Sequence, residues 1–372
     1  MPGFSARPLR AWCALLLALA GLALLGACAP MHGRMQGMHA MHHAPATPQS
    51  AIVMEEFMVP ALDPGIQLYV RNKHEAGRSN YSGDKVLLYV HGATYPSETA
   101  FDLQLNGMSW MDYIARHGYD VYLVDVRGYG KSTRPPVMDR PADQGEPFAG
   151  TAQAVRDVTA AVEFIRKRRG VDKINLLGWS WGTSIMGVYT TQNNDKVNKL
   201  VLYAPQWIRN TASLTDTGGR IGAYRSVSMA SAKQRWLTGV PAAKQADLIP
   251  PGWFEAWASA TIATDPVGAA QNPPVLRAPN GVVQDGRDTW GAGKALYDPG
   301  LIRVPTFLAH AEWDADLPSY MLHAYFARLT NVPYKRYVEI GEGTHTVIME
   351  KNRMQLFQAV QHFLDERLQP GQ

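Results

Sequence analysis

From about residue 51 onward, short apolar runs alternate with stretches in which apolar residues recur at helical spacing. The run at 86–90 (VLLYV) is apolar throughout, which is typical of a strand buried on both faces. Similar runs follow at 120–126, 174–177, 199–203, 304–309 and 334–340. The helical stretches are 152–169, 319–329 and 353–368. This alternation predicts an α/β fold with a mostly parallel central sheet flanked by helices, preceded by antiparallel strands at 52–59 and 66–71.

Residues 207–300 interrupt the alternation. They contain many Pro and Gly residues, no clear strand and five tryptophans, namely Trp207, Trp236, Trp253, Trp257 and Trp290. A loop of that length is implausible in a compact domain. We therefore predict a helical cap, inserted before the strand at 304–309. Its tryptophans either line a substrate pocket or pack the cap against the main domain.

The composition narrows the class of protein. Of the 372 residues, 46% are hydrophobic and 18% are charged, which excludes disorder along the whole chain and collagen-like or coiled-coil designs. Two cysteines cannot form a disulfide framework or a thiolate zinc site. The formal net charge of +4 is too small and too scattered to indicate a nucleic-acid-binding protein.

The N-terminus is typical of an export signal. Arg7 and Arg10 precede an apolar run at 11–25, which is shorter than the ~20 residues that span a bilayer but typical of a signal peptide. The run ends in Leu25-Gly26-Ala27-Cys28, which resembles the lipobox of bacterial lipoproteins. The resemblance implies that residues 1–27 are removed and that Cys28 carries a lipid. Because Ala29 follows in place of an aspartate, an outer-membrane anchor is expected. The alternative is an ordinary signal peptide cleaved near Ala29.

A low-complexity segment at 28–50 follows the signal. It interleaves thioether and imidazole side chains, at Met31, His32, Met35, Met38, His39, Met41, His42 and His43. Such side chains suit Cu(I) and related soft ions. The alternative is a flexible tether between the lipid and the domain at 51–372, and both roles are compatible.

The candidate catalytic centre begins with Gly178-Trp179-Ser180-Trp181-Gly182. This G-x-S-x-G motif follows the predicted strand at 174–177 and precedes a helical stretch at 181–191, which is the context in which it carries a nucleophile. The two glycines permit a tight turn, and the Trp181 N–H at the helix start can donate to an oxyanion. The alternative is a tight turn with an incidental serine.

With this motif the chain resembles the α/β-hydrolase family over roughly residues 55–368. His91-Gly92, after the strand at 86–90, is similar to the family's HG loop, and the match implies that the Ala93 N–H completes an oxyanion hole. The segment at 125–132 (DVRGYGKS) looks like the family's D-x-R-G-x-G-x-S turn. The resemblance implies an α/β-hydrolase fold and a chain order of serine, acid, histidine.

The base and the acid follow from that order. His345 lies in a Gly-rich loop directly after the last predicted strand and matches the family's base position. The segment at 311–318 (AEWDADLP) matches the acid position, with Ala311 in place of the usual glycine. The match selects Asp314 as the acid, with Asp316 as a rival and Glu312 as a weaker one.

These residues predict a hydrolase of carboxylic esters that uses no cofactor and no metal in its folded domain. Ser180 would attack, His345 would carry the proton, Asp314 would orient His345, and the Trp181 and Ala93 amides would bind the oxyanion. The expected partners are a small-molecule ester and the membrane, through the lipid anchor. The oligomeric state stays open.

Three alternatives remain. Proline iminopeptidases share the G-x-S-W-G motif, but their HGGPG loop differs from the HGATYP at 91–96. Carbon–carbon bond hydrolases share the triad and a cap in a similar position. The non-enzyme alternative is a surface lipoprotein whose tether binds copper and whose folded domain is a passive carrier.

Overall fold

The computed structural model describes residues 51–367. The predicted signal peptide, the predicted lipidation site Cys28 and the predicted Met/His-rich tether therefore lie outside the described residues. Among the residues described, no helix combines the length and the apolar character needed to cross a bilayer.

The centre of the fold is an eight-stranded sheet in the order β1-β2-β4-β3-β5-β6-β9-β10, beside a separate β7-β8 pair. The strands are β1 (Ile52–Pro60), β2 (Gln67–Glu75), β3 (Val86–Val90), β4 (Asp120–Val124), β5 (Ile174–Trp179), β6 (Val197–Tyr203), β7 (Tyr224–Ser228), β8 (Val275–Pro279), β9 (Thr306–Ala311) and β10 (Lys335–Ile340). β1 pairs antiparallel with β2 and β2 antiparallel with β4, whereas the six neighbouring strands β4-β3-β5-β6-β9-β10 pair in parallel. The parallel strands β3, β4, β5 and β9 are buried along their whole length, which explains their continuous apolar sequences.

Helices follow most of the parallel strands, and further helices lie in the segment between β6 and β9. They are α1 (Trp110–Ala115), α2 (Thr151–Arg169), α3 (Trp181–Gln192), α4 (Met229–Trp236), α5 (Gln245–Leu248), α6 (Trp253–Ala263), α7 (Pro266–Ala269), α8 (Gly281–Asp288), α9 (Ser319–Arg328) and α10 (Arg353–Asp365). The long helix α2 buries Val155, Val158, Val162 and Ile165 at the spacing read from the sequence. It ends at Gly170, whose φ of +64° is favoured by glycine. The predicted α/β fold, with a mostly parallel sheet flanked by helices, is confirmed.

The segment between β6 and β9, hereafter the insert (residues 204–305), corrects one expectation. It contains helices α4 to α8, but also the antiparallel pair β7-β8, so the prediction of a purely helical cap without strands was wrong. The sequence did not indicate these strands because each is five residues long, they lie about 50 residues apart in the chain, and they carry polar side chains. One of these side chains, that of Arg277, can be buried because it forms an ion pair with Asp265 at 2.7 Å.

Candidate active site

The turn between β5 and α3 holds Ser180 in a strained backbone conformation. Its φ is +58° and its ψ is −123°, a combination that a non-glycine residue adopts only when the surrounding structure enforces it. The Ser180 N–H donates to the carbonyl of Tyr203 on β6 at 2.9 Å, which ties the turn to the sheet. Ser180 therefore stands at the carboxyl end of the parallel strands, where loops build sites in open α/β sheets.

Two glycines make the turn sterically feasible. A Cβ atom on Gly178 would lie 2.3 Å from the carbonyl oxygen of Gly182. One on Gly182 would lie 2.7 Å from the carbonyl oxygens of Val90 and His91, at the end of β3. Side chains at either position would therefore push the turn away from the sheet.

Two main-chain N–H groups border Ser180. Ala93 and Trp181 line the same cavity as Ser180, and within residues 51–367 neither main-chain N–H donates to a protein acceptor. Trp181 is the first residue of α3, where N–H groups have no partner inside the helix. The loop that carries Ala93 passes close to the serine, since a Cβ on Gly92 would lie 2.9 Å from the Cβ of Ser180. Both N–H groups are therefore available to an anionic oxygen.

His91 holds the start of this loop. Its Nδ1 donates to the carbonyl of Gly92 at 2.7 Å, and its Nε2 accepts from the N–H of Val126 at 3.2 Å. Burial lowers the pKa of His91 to about 4, against a smaller opposite effect of the hydrogen bond to Gly92. The ring is therefore neutral at physiological pH and braces the loop as a fixed donor and acceptor.

The carbonyl of Ala93 is held by two further side chains. Tyr129 donates its hydroxyl to this oxygen at 2.8 Å, and Arg225 donates Nη2 to it at 2.6 Å. Arg225 also donates to the hydroxyl of Thr94 at 2.8 Å and to the carbonyl of Pro279 at 2.7 Å. Because Arg225 lies on β7, it connects the insert directly to the loop beside Ser180.

Asp314 and His345 form a hydrogen-bonded pair. The two residues follow the neighbouring parallel strands β9 and β10, and Oδ2 of Asp314 lies 2.8 Å from Nδ1 of His345. The other carboxylate oxygen accepts from the N–H of Leu317 at 2.8 Å. The Asp314 side chain has no exposed surface, so its carboxylate is fixed by these contacts. This bond leaves Nε2 of His345 available to a second partner.

The rival aspartate has a different partner. Asp316 forms an ion pair with Arg235 on α4, in which Nε of Arg235 lies 2.9 Å from Oδ1. Its carboxylate still acts electrostatically on His345. Burial alone lowers the pKa of His345, but the carboxylates of Asp314 and Asp316 outweigh burial and raise the pKa above its usual 6.5.

A buried glutamate supports the histidine loop. Glu350 accepts from the N–H of Thr344 at 2.9 Å, from the hydroxyl of Thr344, and from Nε1 of Trp236 at 2.7 Å. Burial raises the pKa of Glu350 to about 7, although these donors oppose the shift. Since Trp236 is on α4, this carboxyl is a second link between the insert and the loops of the candidate site.

Two cavities border Ser180. The larger has a volume of about 340 Å³ and is lined by Ala93, Ser180 and Trp181 together with residues of the insert. The smaller, of about 40 Å³, is lined by Ser180, His345 and Trp236 among others. The nucleophile candidate is thus placed where a bound molecule can extend to either side.

The five tryptophans of 207–300 divide between the two roles considered for them. Trp290 lines the larger cavity and Trp236 the smaller one. Trp257 packs edge-on against Tyr95 and Trp236. The other two also pack against neighbours, Trp207 against Tyr297 and Tyr325, and Trp253 against Arg353.

The segment at 125–132 is a structural turn. Asp125 accepts from the N–H of Ser97 at 2.8 Å, and Ser132 accepts from the N–H of Tyr69 at 2.8 Å. Arg127 forms a buried ion pair with Asp157. The segment reaches the candidate site through Tyr129, which donates to the carbonyl of Ala93, and through the N–H of Val126, which donates to His91.

Three potential metal ligands lie together, but each has another partner. The ligand atoms of Asp314, Asp316 and His345 lie within 4.8 Å of one another. Nδ1 of His345 is bound to Asp314, and Asp316 is bound to Arg235. Their mutual pairing fits a charge network better than an open ligand set.

With this geometry in place, comparisons with known proteins define the class. A sequence profile described as alpha/beta hydrolase fold matches residues 85–352, so the chain belongs to the α/β-hydrolase family. No curated protein matches the chain significantly.

Solved structures of similar fold include three hydrolases. One is a serine hydrolase from the polyaromatic-hydrocarbon-degrading bacterium Cycloclasticus zankles, with 14% identity, a TM-score of 0.57, and coverage of 84% of this chain and 98% of that one. A serine hydrolase involved in carbazole degradation has 16% identity, a TM-score of 0.56, and coverage of 85% and 100%. The 2-hydroxy-6-oxo-6-phenylhexa-2,4-dienoate hydrolase of Rhodococcus sp. strain RHA1 has 13% identity, a TM-score of 0.56, and coverage of 84% and 99%. At these identities the likeness shows the fold alone.

Sequence reasoning missed several residues of the site. Arg209, Arg225 and Arg235 lie in the insert, and Glu350 follows the histidine loop. None belongs to a local motif, and their partners are more than 80 residues away in several cases. Only the folded structure brings them to Ser180.

Proposed function

We propose that the protein is a serine hydrolase that cleaves carboxylic esters through an acyl-enzyme. The observation that carries the proposal is the Asp314–His345 hydrogen bond beside a strained Ser180 turn, with Ser180 and His345 lining one cavity. A serine hydroxyl is a weak nucleophile until a base accepts its proton and a carboxylate orients that base. The three side chains supply these three functions.

In the proposed mechanism, Oγ of Ser180 attacks the ester carbonyl carbon while Nε2 of His345 accepts the hydroxyl proton. Asp314 fixes the imidazole tautomer through Nδ1 and stabilises the imidazolium. The N–H groups of Ala93 and Trp181 stabilise the oxyanion of the tetrahedral intermediate. His345 then protonates the departing alkoxide, and water completes the second half-reaction by the same route.

A fluorophosphonate probe tests the nucleophile. The wild type should be labelled at Ser180, and Ser180→Ala should not react. Ser184→Ala is the matched control, because it removes a hydroxyl one helical turn further along α3, outside both cavities. A wild type that never labels would refute the serine hydrolase proposal.

A substrate panel tests the reaction class. We expect turnover of p-nitrophenyl esters to exceed that of a proline β-naphthylamide and of a vinylogous diketone. The diketone is included because a structural neighbour is named as a dienoate hydrolase, so carbon–carbon bond cleavage is the second candidate function. Preferential cleavage of the diketone would replace the ester proposal with that one.

We also propose that the protein is an exported lipoprotein anchored through Cys28, by the resemblance of residues 25–28 to a lipobox. Palmitate should label the wild type and should not label Cys28→Ala. An unlabelled wild type that is released as soluble protein would contradict the proposal. Copper titration of the full chain and of a variant lacking residues 29–50 tests metal binding by the tether. A chain that binds copper but never labels with the fluorophosphonate would favour the carrier alternative.

A further inference from the structure

The larger cavity is rich in arginine on the side formed by the insert. Among residues 51–367, its lining includes three arginines and two aspartates. Arg235 is paired with Asp316, and Arg287 is paired with Asp216 at 2.6 Å. The third guanidinium, that of Arg209, has no carboxylate partner in the described part of the chain.

Arg209 is held in place by main-chain oxygens. Its Nε donates to the carbonyl of Thr211 at 2.9 Å, and its Nη2 donates to the carbonyls of Ala212 at 2.8 Å and Asp316 at 3.4 Å. Its own main-chain N–H donates to the carbonyl of Trp290 at 3.0 Å. The side chain is therefore fixed without being neutralised, although only 8% of the residue's surface is exposed.

The remaining nitrogen of Arg209 has a free donor edge. Among residues 51–367, Nη1 donates to no protein acceptor, and this atom keeps some solvent-accessible surface. Burial lowers the pKa of this guanidinium, although the charges of Asp316 and Asp314 oppose the shift, and arginine stays protonated at neutral pH. A buried, fixed and unpaired guanidinium is costly unless a ligand supplies the anion.

The polar groups around Arg209 suit an oxyanion. Gln206, Thr211 and Ser213 line the same cavity and can donate further hydrogen bonds. The free N–H groups of Nη1 can donate charge-assisted hydrogen bonds to a carboxylate. Ser180 borders the same cavity, so one molecule can place an ester at the serine and an anion at Arg209.

From these observations, and resting on the proposed ester hydrolysis, we propose that the enzyme selects esters that carry a free carboxylate in addition to the ester group. Arg209 is the specificity-determining residue and binds that carboxylate in the larger cavity. Arg235 and Arg287 contribute less, because their charges are already balanced by aspartates.

The test compares matched anionic and neutral substrates. The mono-p-nitrophenyl esters of succinate, glutarate and adipate are measured beside their methyl-blocked counterparts, and 4-acetoxybenzoate beside its methyl ester. These pairs place the carboxylate on the acyl side or on the leaving-group side. Since a hydrogen bond to a charged group discriminates by about ten- to a hundredfold, the anionic member of at least one pair should have the higher kcat/KM by that factor.

Variants assign the preference to Arg209. Arg209→Met should bring the ratio of kcat/KM for the anionic and the neutral member of each pair to about one. That ratio is the readout, because any loss of active enzyme affects both members of a pair equally. Arg156→Met is the matched control, since it removes one exposed charge outside both cavities and should keep the preference. Free glutarate should inhibit the wild type and not Arg209→Met.

Failure of this proposal and failure of ester hydrolysis give different results. A wild type that labels with fluorophosphonate but hydrolyses anionic and neutral esters equally overturns the carboxylate proposal alone. A wild type that does not label overturns the hydrolase proposal. The wild-type comparison needs no variant, so it decides the question even if Arg209→Met does not fold.

Discussion

The residues proposed for the chemistry and the residues that shape the larger cavity come from two differently built regions. Ser180, Asp314 and His345 follow the strands β5, β9 and β10, and short motifs mark them. β9 and β10 are neighbours in the sheet, and β6 separates β5 from β9. The cavity wall opposite Ser180 comes largely from the insert, where polar strands and short helices are held by arginine pairs. The sheet-borne region can therefore keep a reaction class while the insert varies the substrate.

The largest expected effect separates the two neighbouring aspartates. Asp314→Asn removes the carboxylate that holds the tautomer of His345 and should lower kcat about 10⁴-fold, whereas Asp316→Asn should retain most of the turnover. Steady-state kinetics on a p-nitrophenyl ester measures both. If Asp316→Asn abolished turnover and Asp314→Asn left it near wild type, Asp316 would be the acid of the triad instead of Asp314.

Arg225 tests whether the insert contributes to the chemistry as well as to binding. Arg225→Met removes one of two donors to the carbonyl of Ala93, so the N–H of Ala93 should be less well placed for the oxyanion. We therefore expect kcat to fall about tenfold with little change in KM. Tyr129→Phe removes the other donor and should act in the same direction. A rise in KM at constant kcat would instead make Arg225 a substrate-binding residue.

Glu350 joins the two regions and predicts a pH dependence of stability. Its carboxyl keeps a proton up to about pH 7 in the folded protein, whereas the unfolded chain loses it near 4.5. Between these values the unfolded state binds fewer protons, so the free energy of unfolding falls as the pH rises. A shift of this size corresponds to about 3 kcal/mol.

The measurement is denaturant unfolding of the wild type and Glu350→Gln at several pH values. The wild type should lose stability relative to the variant between pH 4.5 and 7. Parallel pH profiles for the two proteins would show that Glu350 titrates normally in the fold.

The smallest expected effect concerns the pH profile of activity. His345 must be neutral to accept a proton, and its raised pKa places the acidic limb of kcat/KM above pH 6.5. Asp316→Asn removes one carboxylate that raises this pKa and leaves Arg235 unpaired, so the limb should move to lower pH. An unchanged limb would mean that Arg235 already screens Asp316 from His345.

Much of the sheet-borne region was predictable. The strand at 86–90 coincides with β3, and the predicted helices at 152–169 and 319–329 differ from α2 and α9 by single residues at one end. Buried parallel strands are apolar throughout and amphipathic helices repeat at 3.6 residues, so both leave a signal in a single sequence. The strand pair β7-β8 left none, because its partners are distant in sequence and half polar.

The amino-acid sequence by itself determined the α/β alternation, the tight glycine-flanked turn at Ser180 and the order of serine, acid and histidine candidates. The first two depend on neighbouring residues, whose conformational preferences and periodicity act locally, whereas the order is what the resemblance to the α/β-hydrolase family implies. Tertiary structure alone decided the partners of two aspartates that are only two residues apart in the chain. Asp314 is hydrogen-bonded to His345, whereas Asp316 is paired with Arg235. Within residues 51–367 it also left the guanidinium of Arg209 without a carboxylate partner in the cavity that Ser180 lines, since the partner of a charged side chain depends on which distant segments the fold brings together.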